Sequence, residues 1–302
     1  MRRAKAEGIR LFDEAALCDR LTETQGRTRN TTYRFSPRMI VVNEPKPSEI
    51  FWEIHSKLPR EGPGDDASTR KAFSMLADLP NAPCILDVGC GPGMQTLELA
   101  RLTDGSITGL DTHQPFLDEL TTRAKKAGVR ERITTVRGSM FAMPFLAESF
   151  DLIWSEGAIY FMGLHKALTR WKPLLRARGY IVGTEPCWLK SDIPDELRAF
   201  WREYPGMTTV ENCIQIIGEA GYREVGHFTL TEAAWWDDYY RPMERRLPTL
   251  RKKHHNNPAA LIIIDEAQHE IDMYRANSDY YGYVFFVMHR ESFHPRKPVS
   301  LG

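Results

Sequence analysis

Asp87-Val88-Gly89-Cys90-Gly91-Pro92-Gly93 places a carboxylate two residues ahead of three alternating glycines. Glycine lets a chain turn sharply and present backbone N–H groups to a ligand with no Cβ in the way. A second acid closes Gly109-Leu110-Asp111 about 20 residues later, where a carboxylate can accept hydrogen bonds from both hydroxyls of a ribose. A dinucleotide site needs G-x-G-x-x-G with the pyrophosphate on the helix N-terminus. The spacing here is G-x-G-x-G, with Pro92 inside it. Asp87 would repel a pyrophosphate and suits a ligand carrying an ammonium group.

A sheet edge must hold these residues. The apolar pattern predicts strands at Cys84–Val88, Ser106–Leu110, Ile133–Val136, Phe150–Trp154 and Tyr180–Thr184, with helices at Met94–Arg101, Gln114–Ala127 and His165–Leu175. Strands alternating with helices of about ten residues indicate right-handed βαβ units and a parallel sheet covered on both faces. Further on, Glu224–Leu230 and Gly282–His289 read as strands and Leu261–Tyr274 as a helix. Ligands bind such sheets outside the carboxyl ends of the strands. Just past the fourth and fifth strands stand Glu156, Tyr160, Glu185 and Trp188.

S-adenosylmethionine (SAM) carries an ammonium, a carboxylate, a ribose and an adenine. The run Leu86-Asp87-Val88-Gly89-Cys90-Gly91-Pro92-Gly93 resembles the first motif of class I SAM-dependent methyltransferases, and Asp111 matches that family's ribose-binding acid. Phe150-Asp151-Leu152-Ile153-Trp154 resembles the fourth-strand motif. Leu174-Leu175-Arg176-Ala177-Arg178-Gly179-Tyr180-Ile181-Val182 resembles the helix, turn and fifth strand that follow. Together these motifs cover about residues 84–186. Ser155-Glu156-Gly157-Ala158-Ile159-Tyr160, Gly62-Pro63-Gly64 and Asp279-Tyr280-Tyr281-Gly282-Tyr283 are similar to a bacterial subgroup of small-molecule-type methyltransferases, over about residues 50–290. The resemblance implies an α/β, Rossmann-like, seven-stranded, mostly parallel sheet with helices on both faces. An antiparallel edge hairpin and a helical, aromatic lid insertion complete it.

By the same resemblance SAM is the cofactor, held by Asp87, Gly89, Cys90, Gly91, Gly93, Asp111, Thr112, Ser139, Met140 and Glu156. The glycines lie under the methionine moiety, Asp111 holds the ribose, and Ser139 and Met140 flank the adenine; the acid that many relatives carry near Ser139 is absent. Methyl transfer is an in-line displacement, so alignment and exclusion of water supply much of the catalysis. Glu156 and Tyr160 are the expected catalytic residues. Glu156 also fits a helix cap or a partner for the cofactor's ammonium, and Tyr160 a packing role. His55, Glu185, Trp188, Trp236 and Tyr240 form the expected substrate set. His55 lies on a helix over Glu49–Leu58, which in this family commonly closes over the cofactor. The aromatic stretch Trp235–Tyr240 reads as a lid able to stack on a planar or cationic acceptor, or as an anchor for inserted helices. His113 follows the ribose acid, His254-His255 reads as a solvated helix face, and Cys90 as a small filler.

Composition sets the outer limits. The chain has 302 residues with 40 Lys+Arg against 40 Asp+Glu, so the basic excess usual in nucleic-acid binders is missing. Residues 1–48 carry a net +4 and the remainder −4, which marks 1–48 as a basic, weakly structured extension, with Met39 as a second possible start. Residues 49–302 read as one methyltransferase domain with insertions at about 186–210 and 231–280. The longest apolar runs fall far short of the ~20 residues that span a bilayer, and no signal-like segment opens the chain. Five scattered cysteines form neither a disulfide framework nor a zinc pattern, and no cluster has metal-ligand spacing. A cytoplasmic enzyme of the EC 2.1.1.- class acting on a small molecule is expected, without nucleic-acid or membrane partners. The signatures of DNA amino-, cytosine-C5- and protein arginine methyltransferases are all missing after the fourth strand. The alternative is a non-catalytic module that binds SAM, S-adenosylhomocysteine (SAH) or a protein partner.

Overall fold

Short aliphatic runs bounded by glycine and polar turns supply the strands. In chain order these are β1 (Cys84–Val88), β2 (Ser106–Asp111), β3 (Ile133–Arg137), β4 (Phe150–Ser155), β5 (Leu175–Trp188), β6 (Thr208–Thr209), β7 (Tyr222–Thr229) and β8 (Tyr281–Arg290). The computed structural model describes residues 47–291, so nearly all of the expected basic extension lies outside the described residues. The strands form one sheet in the order β3-β2-β1-β4-β5-β8-β7, with β6 paired to the end of β5. β1 to β5 run parallel, while β8 is antiparallel to both β5 and β7. Strand order reverses between β1 and β4, the switch point at which open α/β sheets bind ligands.

Two features depart from the sequence reading. An eighth strand, β6, is two residues long and too short to register as a periodic signal. The fifth strand, expected at Tyr180–Thr184, extends from Leu175 to Trp188. Arg178 and Gly179 look like a turn that should end it. Arg178 does adopt φ 64°, but the strand absorbs this as an irregularity where the β4 register shifts between Phe150 and Leu152. Downstream, Pro186 stays in the strand opposite Tyr283 of β8, so the expected insertion at 186 begins after Trp188.

Alternation along the strands divides the core. Leu86, Val88, Ile153, Ile181, Phe286 and Met288 pack with Leu164, Ala167, Leu168 and Trp171 of the helix Leu164–Trp171 and with Cys213 and Ile217 of the helix Val210–Glu219. Asp87, on the opposite face of β1, accepts hydrogen bonds from Thr96 and Gln95 of the helix Met94–Leu102. Helices therefore cover both faces.

The chain groups into two compact units. Among the described residues, Pro59–Tyr239 and 277–291 hold the whole sheet. The other unit comprises, among the described residues, 47–58 and Tyr240–Ala276. In this smaller unit the helix Pro47–His55 is capped by Arg246, whose guanidinium donates to the carbonyls of Glu53, Ile54 and Ser56. His254 was expected on a solvated face. Instead it is buried, with Nε2 2.8 Å from Glu53 Oε2, because a carboxylate on the packed helix offers it a partner. Among the described residues no helix is long and apolar enough to cross a membrane, and no His/Cys/Asp/Glu group could hold a metal ion.

Candidate functional site

Strand registers bring the expected residues onto one line. Asp87 is level with Gly109 on one side and Trp154 on the other, and Trp154 with Val182. Two residues further along each chain, Asp111, Gly89, Glu156 and Thr184 stand at the carboxyl edge, and Glu185 follows. The glycine loop sits in the middle of this line.

That loop is held by its own backbone. The N–H groups of Gly89 and Cys90 donate to the Leu110 carbonyl, and the Gly91 N–H donates to Asp111 Oδ2 at 3.0 Å. Gly93, at φ 88°, opens the helix Met94–Leu102, and a Cβ there would lie 2.2 Å from Leu120 Cδ1. Gly91 is different. At φ 51° a Cβ would meet only Glu61 Cγ, at 3.8 Å, so a side chain there would project into open space over the loop. This is a cradle that a Cβ would fill. Asp111 Oδ1 accepts the His113 N–H at 2.8 Å, and burial raises this carboxyl against its backbone donors. Each carboxylate oxygen has a second lone pair, so the acid retains acceptor capacity toward ribose hydroxyls.

Two buried glutamates stand at the ends of neighbouring strands in opposite electrostatic conditions. Glu156, just after β4, accepts from Thr69 Oγ1 at 2.7 Å and Trp154 Nε1 at 2.8 Å on one oxygen, and from Arg60 Nη1 at 3.2 Å on the other. Burial raises its carboxyl, opposed chiefly by the Arg60 charge. Glu185 is 2% exposed. Its Oε1 accepts the Tyr204 hydroxyl, while Oε2 has no hydrogen-bond partner among the described residues. Burial pushes this carboxyl up to about 8, opposed by the Tyr204 hydrogen bond, with no cation beside it among the described residues.

Residues 85–179 match the family described as a methyltransferase domain. This segment spans the glycine loop, both acids and β4. Residues 85–179 belong to that family. Among curated relatives, sterol 24-C-methyltransferase ERG6B of Gibberella zeae is 30% identical over 112 residues, which is 37% of this chain and 29% of that protein. The 27-O-demethylrifamycin SV methyltransferase of Amycolatopsis mediterranei is 27% identical over 114 residues, 37% of this chain and 40% of that one. The chain thus spans less than half the length of either relative. A SAM-dependent methyltransferase of Geobacter sulfurreducens, solved in complex with SAH, shares the fold: TM-score 0.69 at 20% identity, covering 80% of this chain and 98% of that one.

Within the methyltransferase domain, Asp87 is fully buried and its carboxyl is raised by burial to about 7, with the Thr96 and Gln95 bonds opposing. Cys90 is also buried, on Gly109, and burial beside Asp87 and Asp111 pushes its thiol well up; a neutral thiol here fills space. Thr112 is exposed. Ser139 and Met140 are half-buried after β3, the Ser139 hydroxyl accepting from Phe141 N and Met140 packing on the core. Tyr160 places its ring 5.8 Å from Tyr204 and 6.4 Å from Tyr283. Trp188 ends β5, and half-buried Trp236 begins a π-helix over Trp236–Tyr240. His55 and Tyr240 belong to the smaller unit. There His55 stacks on Phe51, and the Tyr240 hydroxyl donates to Glu270 Oε1 at 3.0 Å.

The sequence reading missed Arg60, Thr69 and Tyr204. Arg60 and Thr69 flank the Gly62-Pro63-Gly64 segment that the reading had noted, and a Cβ on Gly64 would lie 3.1 Å from Glu156 Oε2. The Gly64 N–H donates to Ala234 O and the Arg60 N–H to Asp238 O, so this segment is bonded to the aromatic stretch. Tyr204 carried no signal, because its partner Glu185 is distant in sequence.

Proposed function

We propose that this protein is a SAM-dependent methyltransferase acting on a small-molecule acceptor. The observation that carries the reading is the open cradle at Gly91 facing the Asp111 carboxylate on the carboxyl edge of the sheet, at the strand-order switch. The family of residues 85–179 and the small-molecule methyltransferases among the relatives support it. Gly89, Gly91 and Gly93 would lie under the methionine moiety with Cys90 filling beneath them. Asp87 would brace the loop and face the ammonium end. Asp111 would hold the ribose, and Thr112, Ser139 and Met140 would border the adenine. When bound, SAM supplies a methyl carbon on a sulfonium, open to in-line displacement.

Catalysis in this reading rests on alignment and exclusion of water. Glu156, expected from sequence to orient the acceptor or take its proton, or else to cap a helix or meet the cofactor's ammonium, is in this reading a positioning residue. Three donors occupy both its oxygens and tie Arg60 and Thr69 to the end of β4. Tyr160, half-buried on the loop after β4, faces the acceptor side with Glu185, Trp188 and Trp236. The compartment we propose is the cytoplasm. Equilibrium dialysis with methyl-labelled SAM tests the reading. The parent chain should retain label, and Gly91→Val, with an unchanged circular-dichroism spectrum, should lose at least tenfold in affinity. Equal retention by both would overturn it.

A further inference from the structure

Glu156 and Glu185 are both buried on adjacent strand ends, yet among the described residues only Glu156 of the two has a cation. Ionised carboxylates are almost never fully buried unless paired, because desolvation costs several kcal/mol that a neighbouring charge must offset. At Glu156 the offset comes from Arg60, with Thr69 and Trp154 completing the hydrogen bonds. Among the described residues, the titratable groups that act on Glu185 or feel its charge are Tyr204 and Cys187, neither of them cationic. Its Oε2 is buried and unpartnered. Among the described residues, this carboxyl is left one positive charge short.

Its position is as informative as its chemistry. Ser155, the last residue of β4, is level with Gly183, so Glu185 stands two residues beyond the end of β4. The loop that crosses there starts at Gly157, whose N–H donates to Thr184 Oγ1 at 2.7 Å. Ala158 follows and lies against the glycine loop, since a Cβ on Gly89 would be 2.5 Å from Ala158 Cβ. Tyr160 then reaches Tyr204, the donor to Glu185. An aromatic path therefore leads from the glycine loop to the unpaired carboxyl, and ring faces attract cations.

We propose that Glu185 and Tyr204, with Tyr160, form the acceptor subsite and that it takes a protonated amine, the nitrogen seated on Glu185 Oε2. The inference rests on the methyltransferase reading and narrows its substrate class to amines. Glu185 would also receive the proton that an ammonium must lose before its nitrogen is nucleophilic. The N–H bond breaks, its electron pair stays on nitrogen, and an O–H bond forms on Oε2 while Tyr204 keeps Oε1. The raised carboxyl suits this exchange, since it lies between ordinary carboxyl and amine values.

Calorimetric titration of the full chain, saturated with SAH, compares benzylamine with benzyl alcohol. The parent should bind the amine at least tenfold more tightly, and Glu185→Gln should erase that preference while SAH affinity is unchanged. A parent without preference, or a variant that keeps it, overturns the assignment. Should the variant not fold, the parent alone decides. Benzylamine should remove the infrared band of one protonated carboxylic acid, and a band left in place contradicts the proposal. SAH affinity is measured first and separately. Its absence overturns the methyltransferase reading, whereas SAH binding without amine preference overturns only the subsite.

Discussion

At the scale of single residues, the argument depends on which carboxylates are already satisfied. Asp111 has two backbone donors and spare lone pairs. Hydrogen bonds to charged groups contribute about 1.5–3 kcal/mol, so Asp111→Ala should weaken SAH binding by roughly 10- to 150-fold. Titration calorimetry measures this, and an unchanged dissociation constant contradicts the ribose assignment. Asp87 and Glu185 titrate in the folded chain at about 7 and about 8, raised by burial. Unfolded carboxyls titrate near ~4, so between these values the folded state binds more protons than the unfolded one. The stability these two groups contribute is complete below about pH 4 and declines as pH rises through 7 to 8. Glu185→Gln should therefore flatten the fall of the unfolding midpoint from about pH 5 to pH 8. Identical slopes for variant and parent would contradict the assigned burial effect.

At the scale of elements, the site is assembled by pieces that sequence shows unevenly. The glycine loop, β1, β2 and β4 were legible, because their glycines, acids and apolar runs are contiguous. β5 was legible only in its centre. Arg178 and Gly179 carry turn chemistry that the strand absorbs, and Pro186 breaks the pattern without breaking the strand. The pairs Arg60–Glu156 and Tyr204–Glu185 join residues distant along the chain, so no local pattern announces them. Glu156 itself was picked out by position, and what position could not reveal was that three donors already bond it. The Arg60–Glu156 pair makes a prediction. Removing one partner of a buried ion pair costs about 3–5 kcal/mol, so Arg60→Ala should destabilise by about that much in urea unfolding. Glu156→Gln on that background should recover part of the loss by removing the stranded charge. A double variant no more stable than Arg60→Ala contradicts the pairing. At the loop, Gly93→Ala sets a Cβ 2.2 Å from Leu120 Cδ1 in a left-handed conformation. Strain and overpacking together should cost about 2–4 kcal/mol in the same assay, and a cost below 1 kcal/mol would contradict the contact.

At the scale of the whole molecule, the sheet with its carboxyl-edge site lies within one compact unit, while His55 and Tyr240 lie in the other. The structure of the Geobacter sulfurreducens protein covers 80% of this chain, so the shared fold extends well beyond the family segment at 85–179. Thermal unfolding with and without SAH, beside NADH, tests the central claim most directly. A ligand at 100 times its dissociation constant adds about 2.7 kcal/mol to the native state, which raises the midpoint of a domain this size by a few degrees. The account predicts that rise with SAH and none with NADH. A rise with NADH alone, or with neither compound, would contradict it.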